Sequence, residues 1–323
     1  MSIATPTVNI IYTRGTVNAL GRFAPMFTEH TYWRYRLVVN GCSTAEAALL
    51  QRIADTSDRL SVHDLQSVDV IPHGKALCLL ADTFTDEPYF AFMDSDIVVT
   101  ADFTPMVMSL LTQGEAVFSG IPLWATRADT MITEAHRRAA GHHTYNKYGL
   151  TLGCSYFGIY LRQAFDHVSR RCRATPDRYT RAMLDTLAPD FRDYLRQNLL
   201  LFDEYTPTKV LTLGLEFCNW PAIHVDLDGM HHIGGFSTAV YQRQMAAGQA
   251  TEDPATVAQI LDLCDDPDVT RRKDEVGERI TRSFADLDAT GRPWRTRRFP
   301  DPAEDQLRMI EDLYLRQARH VIP

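Results

Sequence analysis

No apolar run in this 323-residue chain approaches the roughly 18 residues that a membrane span needs. The first six residues lack the basic and apolar regions of a secretory leader. Nor is there a basic excess: 33 Lys and Arg stand against 41 Asp and Glu, for a net charge of −8 and a pI near 5.8. Nucleic-acid binders normally carry a positive balance, so the composition argues against that class. It does not exclude an anionic small ligand, whose charge a metal and local basic residues can offset. Six cysteines, at positions 42, 78, 154, 172, 218 and 264, show no Cys-x-x-Cys spacing. Most sit among apolar neighbours, as Cys78 does in Ala-Leu-Cys-Leu-Leu, and are expected as reduced core residues. Neither disulfides nor a zinc site is expected. The chain has no visible internal repeat. These absences together point to a soluble cytoplasmic protein.

What is present describes an ordinary globular protein: 45% hydrophobic and 23% charged residues allow an ample core. The length fits two domains, or one large α/β domain with an extension. Val8–Thr13 and Tyr35–Val39 are apolar runs closed by Arg14-Gly15 and Asn40-Gly41, the mark of strands ending in turns. Ser43-Thr44 opens a helical pattern with Glu46 in its first turn. Leu60–His63 and Val68–Ile71 read as short strands, and Gly74 introduces a helix through Lys75–Thr83. Thr104-Pro105 reads as a capped helix start, with proline at the first helical position. That helix stops at Gln113-Gly114, and Ala116–Ser119 returns to strand. Thr151–Leu161 reads as a strand whose Gly153 and Gly158 admit a close backbone approach. Residues 176–201 read as an amphipathic helical stretch. Alternating strands and helices predict an α/β fold with a mainly parallel sheet.

Residues 89–99, Tyr-Phe-Ala-Phe-Met-Asp-Ser-Asp-Ile-Val-Val, carry the most chemistry. Asp94 and Asp96 lie between two apolar runs, at the carboxyl end of a strand, where open α/β sheets place their ligands. Two carboxylates in an apolar setting are costly unless something positive neutralises them. A Mg²⁺-like cation carrying a diphosphate meets that need. Alone, an Asp-x-Asp is more often two acids capping a surface turn.

The wider pattern resembles the family-2-type glycosyltransferases with the GT-A fold. Tyr35-Arg-Leu-Val-Val-Asn-Gly-Cys-Ser-Thr44 is similar to their second strand and nucleotide-touching turn, although Asn40 stands where many relatives have an acid. His73-Gly-Lys-Ala-Leu77 resembles their Gly-Lys-Ala segment, and Asp94-Ser95-Asp96 follows about twenty residues later. His231-His232-Ile-Gly-Gly-Phe-Ser237 resembles the late histidine that completes the metal site in many of them. The likeness covers roughly residues 8–240. It implies a GT-A catalytic domain over 1–240, a C-terminal helical extension over 241–323, and direct displacement with inversion at the sugar.

The same resemblance assigns roles. Asp96 is implied as a ligand of Mn²⁺ or Mg²⁺, with Asp94 on the metal or the ribose. Either His232 or His231 adds an imidazole, but not both, because successive side chains of an extended segment face opposite ways. Thr13, Arg14, Asn40, Lys75, Asp94 and Ser95 are the expected contacts to the donor nucleotide. For the general base, Asp203 and Glu204 precede an expected helix start at Tyr205-Thr-Pro207. Glu216, in an apolar run where burial raises a carboxyl pKa, is the reserve. Trp124, Tyr156 and Trp220 are candidate platforms for acceptor or sugar, since sugars stack on aromatic faces; each is equally at home in a core.

The expected partners are a nucleoside-diphosphate sugar and a small-molecule or saccharide acceptor. The C-terminal extension is also a candidate surface for a homodimer. A rival enzyme class, the sugar nucleotidyltransferases, normally opens with a glycine-rich phosphate loop. Here Thr13-Arg14-Gly15-Thr16 offers one glycine at that place. A nucleotide-sugar-binding pseudo-enzyme is the non-catalytic alternative.

Overall fold

In a computed structural model, the described residues are 4–121, 154–197, 204–225 and 227–232. The chain runs β1 (Thr7–Thr13), α1 (Val17–Leu20), α2 (Ala24–His30), β2 (Arg34–Asn40), α3 (Thr44–Ala54) and β3 (Leu60–Asp64). It continues with α4 (His73–Thr83), β4 (Tyr89–Met93), β5 (Ile97–Val99), α5 (Thr104–Leu110), β6 (Ala116–Ile121) and β7 (Cys154–Leu161). Then come α6 (Arg162–Cys172), β8 (Tyr179–Thr180), α7 (Pro189–Gln197), β9 (Glu204–Tyr205), α8 (Lys209–Phe217), β10 (Ala222–His224) and β11 (Met230–His232). The described residues fall into two compact units. The first takes residues up to 9, 72–93 and 103–228; the second takes 10–71, 94–102 and 229–232.

The strands β1, β2 and β3 lie side by side in that order, with β2, β3 and β1 from Ile10 onward in the second unit. β2 and β3 are parallel, with Tyr35 opposite Leu60 and Val39 opposite Asp64. The middle of β1 and nearly all of β2 are buried, as expected of strands covered on both faces. Between the parallel strands, α3 makes the crossover. Ser43 caps it by accepting the Glu46 N–H, and the Glu46 carboxylate accepts the Ser43 N–H in return, at 2.9 Å. Gly41 makes the preceding turn at φ +64, where a Cβ would lie 2.7 Å from the backbone of Asp69 and Val70. Only glycine accepts both conditions.

Val68–Ile71 is not a strand, contrary to the reading of its β-branched residues. Side chains satisfy its backbone instead. Asn40 accepts the Ile71 N–H at 2.7 Å and donates to the Ile71 carbonyl at 2.8 Å, while Arg14 donates to the Val68 carbonyl.

In the first unit the strand order is β10-β6-β7-β4. β10 and β6 are parallel, whereas β7 runs antiparallel to both β6 and β4. Gly158 stands opposite Phe92, and a Cβ there would meet that ring at 2.7 Å, so the expected close approach is present. After β7, Arg162 turns its guanidinium back onto the α4–β4 connection. It donates to the carbonyls of Ala81, Phe84 and Glu87 while lying over the rings of Phe90 and Phe165. The resulting mixed sheet with flanking helices is the α/β architecture that the alternation of elements predicts.

Three boundaries differ from the sequence reading. Phe103, not Thr104, is the residue before α5, and no side chain caps that helix. The stretch 176–201 is not one helix: β8 and a 3₁₀ segment, Arg181–Thr186, precede α7, which begins at Pro189. Proline's fixed φ suits a first turn, so Pro189 starts a helix rather than continuing one. The helix expected at Tyr205-Thr-Pro207 begins at Lys209, after Thr208 at φ +68. Residues 122–153 and 233–323, with Gly153, the polar segment 125–148 and the expected C-terminal extension, lie outside the described residues. Among the described residues no helix is long and apolar enough to cross a membrane.

Candidate metal centre

The five residues of β4 are all buried, and the chain leaves that strand through Asp94 and Ser95 before β5, also buried throughout. Asp94 is half-buried and Asp96 is 4% exposed. A carboxylate so deeply placed requires a positive partner. The unit that holds both acids also supplies one from far along the chain. β11 pairs antiparallel with β5, placing Met230 opposite Val99, His231 opposite Val98 and His232 opposite Ile97. The turn into β11 depends on Gly229, at φ +79, whose carbonyl accepts the Thr100 N–H at 2.7 Å. A Cβ on Gly229 would lie 2.6 Å from that of Ala101.

This register brings the His232 imidazole to the pair of acids. Its Nε2 lies 3.2 Å from Asp96 Oδ1 and 3.5 Å from Asp94 Oδ2. One ligand atom from each of the three residues falls within 4.8 Å of the others. Burial pulls the imidazole pKa down, but the hydrogen bonds and negative charges of Asp94 and Asp96 outweigh it and raise the pKa to about 10. The two acids thus create a field that holds a cation, here the proton on His232. The side chain of His231 lies outside the described residues.

The donor set fits a divalent cation. Neighbouring ligands on a six-coordinate ion with bonds of about 2.1 Å are about 3 Å apart, close to the two His232 separations. Two carboxylates and one imidazole leave positions for phosphate oxygens. Among the described residues this is the one cluster of three His, Cys, Asp or Glu side chains close enough to share an ion.

The other expected site residues have varied surroundings. Arg14 donates from Nε to the Gly41 carbonyl at 2.9 Å, and the Thr13 N–H donates to Thr16 Oγ1. The Asn40 amide is engaged with Ile71, as described above, and Ser95 is buried. Lys75 is exposed in the first turn of α4. Tyr156 accepts a hydrogen bond from Ser119 Oγ at 3.0 Å, and Trp220 packs against the edge of His167. Glu216 is buried in α8. Glu204 lies in β9 opposite Thr180 rather than at a helix N-terminus. Asp203 and Trp124 lie outside the described residues.

One positioning residue escaped the sequence reading. Besides capping α3, Glu46 accepts the Gly15 N–H at 2.6 Å and so ties the turn after β1 to the helix after β2. The Ser-x-x-Glu spacing signals the cap but not this second bond.

No family model matches the sequence, and no curated protein matches it. Similar solved structures are glycosyltransferases. A galactosyltransferase, LgtC, in complex with donor and acceptor sugar analogues is 12% identical, at a TM-score of 0.41 over 79% of this chain and 83% of that one. The mannosyltransferase PcManGT from Pyrobaculum calidifontis, in complex with GDP-Man and Mn²⁺, is 12% identical at 0.43, over 99% and 87%. The bifunctional glycosyltransferase WbbM, in its apo form, is 10% identical at 0.39, over 85% and 52%.

Proposed function

We propose that this chain is a metal-dependent glycosyltransferase that moves a sugar from a nucleoside diphosphate to a small-molecule or saccharide acceptor, with inversion. The observation that carries the reading is the Asp94–Asp96–His232 cluster at the end of a buried strand in an α/β fold. Asp96, Asp94 and His232 would hold a Mn²⁺ or Mg²⁺ ion, which when bound supplies positive charge for the leaving diphosphate. The chain's own residues do the rest. Asp96, buried and fixed by β5, sets the position of the site. His232 must give up its proton before its Nε2 can act as a ligand. Arg14 and Asn40 hold the 66–71 segment and the Gly41 turn in place, the surface assigned here to the nucleotide.

The acceptor's proton passes to a carboxylate, with Asp203 and Glu204 the first candidates and Glu216 the reserve. A positioned base typically contributes about 10²–10⁴ in rate. We assign residues 1–240 to the catalytic domain and 241–323 to a helical extension, and place the protein in the cytoplasm.

Thermal shift with a panel of nucleoside diphosphates and nucleotide-sugars, with and without Mn²⁺, tests the reading, because a ligand that binds only the native state raises the midpoint. Metal-dependent stabilisation by one nucleotide class, lost in Asp96→Ala while that variant's own fold persists, is the expected result. Full turnover in excess EDTA, or equal shifts with and without metal, would overturn it. Donor binding without turnover would mark a binding protein instead of an enzyme.

A further inference from the structure

Two thiols outside the metal centre meet at a helix crossing in the first unit. Cys172 ends α6, Cys218 follows α8, and their sulfurs lie 3.8 Å apart. The approach depends on Gly214, where a Cβ would sit 2.5 Å from Val168 Cγ1 and 3.3 Å from Cys172 Sγ. A bare glycine on α8 lets the α6 side chains press against the helix, and this close crossing brings the sulfurs together. Both cysteines are free thiols. Cys172 is fully buried, whereas Cys218 is half-buried and within reach of a dissolved reagent. Cys42 and Cys78 are occupied differently: Cys42 Sγ donates to the Tyr12 carbonyl, and Cys78 hydrogen-bonds with the Thr175 side chain.

We propose that Cys172 and Cys218 form a reversible disulfide that clamps the C-terminal ends of α6 and α8 when the protein meets an oxidised low-molecular-weight disulfide. The Cys218 thiolate attacks one sulfur of the small disulfide and expels one small thiol, leaving a mixed disulfide. The Cys172 thiolate then attacks the Cys218 sulfur and expels the second small thiol. Two protein thiols lose two electrons and two protons; the reagent gains both and leaves as two thiols. The sulfurs must close from 3.8 Å to the ~2.05 Å of an S–S bond, a movement within reach of side-chain rotation and a small helix shift.

Burial pushes both thiols up from their ordinary range, and the Arg171 guanidinium opposes this for each. The thiolate is the attacking form, so closure is slow without a strong excess of oxidant. The clamp ties positions 46 apart and acts on the helix that carries Glu216. It does not depend on the glycosyltransferase reading.

The test is incubation of the native, full-length protein with oxidised glutathione, then alkylation under denaturing conditions and peptide mapping. The expected result is a fall from six alkylated cysteines to four, with the Cys172 and Cys218 peptides joined and lighter by two hydrogens. The thermal midpoint should rise and return to its starting value with dithiothreitol. Cys218→Ser should keep the wild-type fold by circular dichroism, lose the cross-link and lose the oxidant-dependent rise. Six free thiols after oxidation, joining of other cysteines, a cross-link that forms only in urea, or a fall in the midpoint would each overturn the proposal.

Discussion

His232 makes the charge of the Asp94–Asp96–His232 cluster measurable without any metal. In the ion-free protein its imidazolium faces Asp96 and Asp94 at 3.2 and 3.5 Å, and its pKa is raised from 6.5 to about 10. A histidine whose folded pKa exceeds its unfolded one stabilises the fold fully below the unfolded value. That stabilisation is lost as pH rises through the folded value. The window here is pH 6.5 to about 10. The whole shift corresponds to about 4–5 kcal/mol, and to about 2 kcal/mol once Asp94 and His232, both partly exposed, are discounted for solvent screening. In EDTA, the wild type should therefore exceed His232→Gln in stability by about 2 kcal/mol near pH 6, and the gap should shrink steadily toward pH 10. Urea titrations of both proteins at half-unit pH intervals measure it. A gap that stays constant from pH 6 to 9.5, or widens with pH, would refute the assigned geometry.

Two substitutions probe the scaffold. Gly41→Ala combines a left-handed backbone with a Cβ 2.7 Å from Asp69 and Val70, and should cost about 3 kcal/mol or more in urea unfolding. Arg162→Ala leaves the carbonyls of Ala81, Phe84 and Glu87 without that partner and strips a cation from Phe90 and Phe165. It should cost about 2–4 kcal/mol, and Arg162→Lys should recover only part of that because one ammonium cannot span three carbonyls. A loss under 1 kcal/mol in either alanine variant would contradict these contacts.

The parts of the chain legible from sequence are those that local rules determine. β4 is an uninterrupted apolar run, Ser43 and Glu46 spell a helix start, and Gly158 marks a strand crowded by a neighbouring ring. Asp94 and Asp96 are legible for the same reason, because the turn after a buried strand is a local event. His232 could be nominated only by resemblance; what selects it is the β5–β11 register, a pairing no local window contains. Val68–Ile71 misleads because strand propensity says nothing about Asn40 and Arg14, which hold that backbone in another shape. The expected helix at Tyr205 fails on Thr208, a β-branched residue in the left-handed region that a sequence reading would assign to glycine or asparagine.

The β5–β11 pair has a consequence for the order in which this protein assembles. The two acids are in place once β4 and β5 are made, but the imidazole arrives only after a closure between segments as far apart as Thr100 and Gly229, 129 positions along the chain. Loop closure over that span is entropically costly, and three residue pairs offer little to offset it until the rest of the unit has packed. A chain still emerging from synthesis, or cut before residue 229, carries both carboxylates but lacks the His232 imidazole. Assembly of the Asp94–Asp96–His232 cluster then reports on completion of the fold, rather than on the presence of the Asp-x-Asp alone.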